Sequence, residues 1–288
     1  MATQLFPNYK QIPTRIPRPV WHALRFVSVT FTLSVLALLV LRPTQGLFLF
    51  WNILVPSLPL VFFALPGLWR NLCPLSTMNQ IPRVFGFTRG LTLSNWLKEY
   101  AFVFGITVLF VAVPARQLVM NHDGLVTAAL VATLLALAFI GGLLFKGKSG
   151  WCSTFCPLLP VQRLYGQTPM VLIPNSHCEP CVGCTKNCYD FNPQAAYLAD
   201  QYDDDPHYRG YRRFFAGAFP GLILAYFTTV PGQESALALY GRFATTVIAS
   251  VGLFYFLDTF VKLSRAKLTA IYAVLALNLF YWFVMPTL

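Results

Sequence analysis

Seven stretches free of Asp, Glu, Lys and Arg divide the chain: Phe26 to Leu41, Pro43 to Trp69, Tyr100 to Ala115, Gly124 to Phe145, Phe214 to Gln233, Phe243 to Leu257 and Leu268 to Leu288. They predict seven transmembrane helices. A span needs about 20 mostly apolar residues. The first and third stretches, at 16 residues, and the sixth, at 15, are short, and the first and sixth reach that length if flanking arginines such as Arg25, Arg42 and Arg242 snorkel to the interface. Pro56 and Pro59 are expected to kink the second helix, because each removes a backbone donor and crowds the preceding turn.

Composition agrees with lipid as the solvent. The 288 residues are 56% hydrophobic and only 11% charged, against about 25% charged in an ordinary soluble domain. The net charge of +11 suggests nucleic acid until the basic residues are located. Eighteen of the 21 lysines and arginines fall in the N-terminal segment and in the connections after helices two, four and six. The other connections hold Arg42, Arg116 and Arg242. The positive-inside rule then puts the N-terminus and the basic connections in the cytoplasm and the C-terminus in the periplasm. The basic balance is a signal of topology and gives no reason to expect nucleic acid. Leu41-Arg42-Pro43 follows the first apolar run where a cleavage site would need small residues, so helix one is expected to stay as an anchor.

All seven cysteines lie in two of those basic connections, where thiols stay reduced and available as ligands. Cys178, Cys181, Cys184 and Cys188 have the C-x2-C-x2-C-x3-C spacing of a bacterial ferredoxin run, the ligand set of a [4Fe–4S] cluster. Gly183 gives the backbone room to approach inorganic sulfide, and Pro180 stiffens the turn. A zinc site would instead show paired C-x2-C knuckles separated by a longer span. Tyr189 stands where Pro usually follows the last Cys. In two-cluster ferredoxins that last Cys ligates the other cluster, so Cys73, Cys152 and Cys156 are candidate further ligands. Seven thiolates are one short of two complete four-cysteine cubanes. Either one cluster is present beside three accessory thiols, or a second takes a non-cysteine ligand such as His177 or Asp190.

The remaining cysteines belong to an internal repeat. Gly67-Leu68-Trp69-Arg70-Asn71-Leu72-Cys73-Pro74-Leu75 aligns, 83 positions on, with Gly150-Trp151-Cys152-Ser153-Thr154-Phe155-Cys156-Pro157-Leu158. Each copy follows a predicted helix pair. The second holds a complete C-x3-C-P; the first has Trp69 in place of the leading Cys. The spacing puts both sulfurs on one side of a helical turn, and the proline starts a new segment.

These residues resemble the polytopic ferredoxin-type proteins of the NapH/NosR group, membrane subunits associated with periplasmic nitrate and nitrous oxide reduction. The likeness rests on two Cys-Pro motifs after successive hairpins, the Gly150-Trp151-Cys152 to Cys156-Pro157 element, and the ferredoxin run some twenty residues later. It covers roughly residues 20 to 192. The chain departs from the group in lacking a leading Cys in the first motif and a second ferredoxin run, and in continuing through three more helices. The resemblance implies membrane electron transfer, with Cys178, Cys181, Cys184 and Cys188 as cluster ligands and Cys73, Cys152 and Cys156 as the Cys-Pro cysteines.

The expected architecture is an all-α membrane protein in the bacterial cytoplasmic membrane. Residues 1–145 form an N-terminal membrane region, 146–212 a small cytoplasmic iron–sulfur module, and 213–288 a C-terminal membrane region. The expected function is that of a non-catalytic subunit passing electrons between a quinone pool or cytoplasmic reductant and a partner oxidoreductase. An assembly or redox-sensing protein with a regulatory cluster is the alternative. Lys186 and Arg163 should favour the more negative, reduced cluster and raise its potential. His22, near the cytoplasmic end of helix one, is a candidate quinone contact or an interfacial anchor. Asp200, Asp203, Asp204 and Asp205 form either a solvated loop or a docking patch for a basic redox partner.

Overall fold

A computed structural model describes residues 16–166, 169–171, 173, 176, 206–229 and 235–285. It is 82% helical. Among the described residues there is no strand, only an isolated bridge between Leu91 and Phe145. The helices are α1 Arg18–Leu41, α2 Pro43–Ala64, α3 Pro66–Leu72, α4 Pro74–Val84, α5 Asn95–Ala115, α6 Gly124–Leu144, α7 Leu159–Tyr165, α8 Pro206–Thr228, α9 Ala236–Phe260 and α10 Arg265–Val284. Among the described residues six helices are long and apolar enough to cross a membrane: α1, α2, α5 with its continuation to Met120, α6, α9 and α10. The protein is thus an all-α, multi-pass membrane protein.

The helix expected at Phe214 to Gln233 is present as α8. It carries Arg209, Arg212 and Arg213 in its first turns, and its charge-free part within the described residues, 214–228, is shorter than the spans around it. It is also the most enclosed of the long helices, with Phe215, Ala216, Ala218, Leu222 and Ala225 almost inaccessible. It packs against α9, α10 and α5. Protein rather than lipid surrounds it, so its polar start can sit against neighbouring helices.

Side-chain caps set several helix starts. The Ser94, Ser235 and Ser264 hydroxyls accept from the backbone N–H groups of Leu97, Ala238 and Lys267, each at 3.3 Å. The Asp123 carboxylate accepts from Leu125 and Val126 at 2.8 and 3.0 Å. Such caps satisfy otherwise orphaned donors. Pro56 and Pro59 leave their mark on α2, whose segment Phe48–Leu54 just before them is π-helical before α-helix resumes at Val55. Widened turns of this kind accommodate an interrupted hydrogen-bond ladder.

The helices alternate in direction, and contacts at their ends define two poles. At one pole the Arg25 guanidinium donates to the Asn71 carbonyl (3.1 Å) and the Ser28 hydroxyl to that of Leu72 (2.7 Å), joining the start of α1 to α3. At this pole, too, Arg213 at the start of α8 is paired with Asp258 at the end of α9. At the other pole, Arg116 lies over the rings of Trp51 (4.1 Å) and Tyr226 (4.8 Å). There the Trp51 indole donates to the Met120 carbonyl at 3.0 Å, and Arg242 donates to the Thr228 carbonyl at 3.3 Å. The few arginines of the sparse connections therefore collect at one pole and both Cys-Pro motifs at the opposite one.

Candidate functional site

The two copies of the repeat differ in backbone, the first lying in the helix Pro66–Leu72 and the second running through turns at 151–155. Each begins with a glycine after a transmembrane hairpin, and each ends in a Cys-Pro step that opens a helix. Cys73 is the residue before α4, with Pro74 in its first turn, where the missing proline N–H costs nothing. The Cys73 N–H donates to the Trp69 carbonyl (2.7 Å) and the Cys156 N–H to that of Trp151 (3.1 Å). The Leu159 N–H donates to the Cys156 carbonyl at 3.0 Å, leading into α7.

The end of α6 carries both copies. Gly142 lies against the backbone of Asn79, where an added Cβ would meet the Asn79 carbonyl oxygen at 1.8 Å. Gly141 faces Gly150, whose carbonyl oxygen a Cβ would meet at 2.4 Å. Only glycine permits either approach. The Asn79 amide then donates to the Ala138 carbonyl at 3.0 Å, which satisfies a polar group at zero exposure.

One cavity of about 30 Å³ opens between the copies, and its walls obey the repeat. Trp69 and Cys152, Arg70 and Ser153, Cys73 and Cys156, and Ser76 and Leu159 all line it, each pair separated by 83 positions. The structure therefore brings together the three cysteines of the Cys-Pro motifs, which the sequence had linked only by alignment. Cys73 and Cys156 are buried and Cys152 is half-buried. Burial pushes the Cys156 thiol up to about 12, and the nearby Cys73 adds to the effect. Among the described residues no three His, Cys, Asp or Glu side chains already surround a single metal position.

Two polar atoms at the cavity have no protein partner among the described residues. The Ser76 hydroxyl, on a residue 3% exposed, makes no hydrogen bond, and neither does the Trp69 indole N–H. Arg70, Arg163 and Arg212 are also buried at this pole, so cationic charge is concentrated where thiolates would form.

The ferredoxin run itself, Cys178, Cys181, Cys184 and Cys188, lies outside the described residues. So do His177, Lys186, Asp190, Asp200, Asp203, Asp204 and Asp205. The described residue nearest the run in sequence is Ser176, and it is tied to the first motif. Its N–H and hydroxyl both donate to the Asn71 side-chain oxygen, at 2.8 and 2.6 Å, and the Arg25 guanidinium donates to its hydroxyl. The Asn71 amide in turn donates to the Gly67 carbonyl at 2.9 Å. Nothing in the residue pattern singled out Asn71 or Ser76, and Arg25 was expected only as a snorkelling arginine at the start of helix one. The alignment of Asn71 with Thr154, both buried, was the available signal.

His22 is exposed on α1 and does not line this cavity. A second cavity of about 500 Å³, lined by Phe110, Phe214, Tyr240, Phe243 and Val247 among others, opens between α5, α8 and α9. The Tyr240 hydroxyl is turned away to the Val111 carbonyl at 3.0 Å, leaving walls suited to a hydrocarbon chain. Compared with family models, curated proteins and solved structures, the chain matches none.

Proposed function

We propose that this protein is an iron–sulfur electron carrier of the bacterial cytoplasmic membrane, resembling the NapH/NosR group, with its cysteine pole in the cytoplasm. Cys178, Cys181 and Cys184, with Cys188, would hold a [4Fe–4S] cluster. Such a cluster supplies reversible one-electron transfer when bound. The observation that carries this reading is the spacing of the run, together with the tether at Ser176, two residues before Cys178, to Asn71 in the first Cys-Pro motif. Anchoring the start of the run on buried polar groups would hold its thiols at the membrane surface.

The chain's own residues do the positioning in this reading. Asn71 and Arg25 fix the start of the run. Arg163 and Arg212, buried on α7 and α8, lower the cost of accumulating negative charge at this pole. The hydrocarbon layer is about 30 Å thick, too far for one surface cluster to bridge, so electrons would pass to a quinone in the bilayer or to a partner oxidoreductase. The apolar cavity between α5, α8 and α9 suits a quinone's tail.

The test is reactivity. Protein reconstituted anaerobically in lipid should be reduced by a quinol or a low-potential ferredoxin within a catalytic timescale, seen as bleaching of the iron–sulfur absorbance. An intact cluster that neither donor reduces would reject electron transfer and favour an assembly or sensing role.

A further inference from the structure

We infer that the segment from Val84 to Trp96, between α4 and α5, is a lipid-binding surface: an interfacial loop that sets aromatic side chains into the leaflet at the Cys-Pro pole and holds an anionic phospholipid headgroup on Arg89. Its side chains are the wrong ones for water. Val84, Phe85, Phe87, Leu91 and Trp96 are all exposed, Phe85 by 73% and Trp96 by 64%. So much exposed apolar surface in one short connection marks a binding face.

Backbone geometry fixes the height of this face in the membrane. The last carbonyls of a helix have no intrahelical donor, and the loop supplies donors to three of those ending α6, which is a membrane-crossing helix. The Thr88 hydroxyl donates to the Gly142 carbonyl (2.8 Å), the Arg89 N–H to that of Leu143 (2.7 Å) and the Leu91 N–H to that of Leu144 (2.8 Å). The Lys146 N–H returns to the Leu91 carbonyl at 2.9 Å. The loop is therefore pinned where the hydrocarbon ends. Phe87 reaches back along the span, its ring 6.3 Å from that of Phe139, in a stretch where Leu137 and Ile140 are exposed. Phe139 stands about 7.5 Å before Leu144 at the rise of an α-helix, within the depth of about 5–10 Å to which interfacial apolar groups sink. Through this ring pair the lipid-facing surface of α6 continues onto the loop.

Charge selects the headgroup. From Arg83 to Lys98 the chain carries Arg83, Arg89 and Lys98 and no acid. Arg89 is exposed, and a guanidinium matches a phosphate with paired hydrogen bonds. Gly86 and Gly90, at φ +76° and +61°, bracket Phe87, Thr88 and Arg89 with left-handed turns that glycine makes cheaply, so one apolar anchor and one cation leave the same tight loop. Trp96, its ring 5.4 Å from that of Tyr100, adds the Trp–Tyr pairing typical of a membrane interface.

The experiment reconstitutes the full chain in phosphatidylcholine vesicles that contain brominated lipid. Trp96 emission is isolated as the difference between wild type and Trp96→Phe, and Phe85→Trp supplies a second reporter; both positions are exposed, so neither exchange disturbs packing. Both reporters should be quenched by phosphatidylcholine brominated at the headgroup end of its chains and shielded from aqueous acrylamide. At low mole fraction, brominated phosphatidylglycerol should quench more strongly than brominated phosphatidylcholine, and Arg89→Gln should cut that preference about five-fold, the worth of one cation at an anionic surface. Reporters open to acrylamide and untouched by brominated lipid would overturn the proposal, leaving the face to water or to a soluble protein. Equal quenching by the two brominated lipids, or a preference that survives Arg89→Gln, would overturn it as well. The readout is independent of iron and sulfide content, so it stands or falls apart from the electron-carrier reading.

Discussion

The two Cys-Pro copies both lead into a helix and differ in the backbone before the cysteine, helical in the first and turned in the second, and in what they bring to the cavity. The second contributes Cys152 and Ser153; the first puts Trp69 and Arg70 in the same two places. Only the cysteine before the proline is common to both. The first copy is tied to the start of α1 and to Ser176 through Asn71 and Arg25. The thiol before the proline is thus common to both copies, the first holds Ser176 through Asn71, and the second adds Cys152 to the cavity wall.

The largest way to break this arrangement is at the shared support. Gly142→Ala drives a Cβ into the Asn79 carbonyl and should cost more than the roughly 1–3 kcal/mol typical of overpacking, read as loss of monodisperse protein in detergent. Trp69→Cys gives the first copy the thiol that the second already has. It removes an indole packed edge-on to Phe62 at 5.4 Å, a loss of about 3 kcal/mol on the scale of large-to-small substitutions. It also completes a four-thiol set, so the variant should retain one equivalent of zinc through purification where the wild type retains none there; metal analysis distinguishes them.

Asn71→Ala should cost about 2 kcal/mol, because it strands the Ser176 N–H and hydroxyl. Proteolysis between residues 166 and 206 should accelerate in parallel. At the opposite pole, Arg116→Ala removes the stack on Trp51 and Tyr226 and should cost about 1 kcal/mol while leaving metal content unchanged. Any change in metal content there would show that the two poles are coupled.

The smallest expected effect is one of rate. The thiolate is the nucleophile, and burial holds Cys156 protonated up to about 12. In metal-free protein Cys156 should therefore alkylate more slowly than Cys152, at a rate still rising as pH increases past the ordinary thiol range. Equal rates at neutral pH would contradict the burial.

Much of the fold was legible because membrane helices advertise themselves. Charge-free runs located every long helix, while their true starts lay earlier, at Arg18, Asn95, Pro206 and Ala236. Charge marks where lipid ends, whereas helices begin where a donor is capped, at Ser94 or Ser235, or where a proline opens the first turn, as at α1. The π-helical stretch before Pro56 shows how a predicted disruption was absorbed. The repeat alignment correctly paired Cys73 with Cys156, but spacing alone carried no hint that they face a common cavity. That depends on Gly141 and Gly142 letting both copies rest on one helix end, a close backbone approach that composition does not encode. The tether from Asn71 to Ser176 joins residues 105 positions apart, and no local pattern forecasts it.

The central claim is that the run beginning at Cys178 holds a cubane. Protein purified without oxygen, reduced and examined by low-temperature electron paramagnetic resonance with iron and sulfide quantified, should give an S = 1/2 [4Fe–4S] signal with about four iron and four sulfide per chain, abolished by Cys181→Ser. Material devoid of labile sulfide and carrying zinc on those cysteines would contradict it.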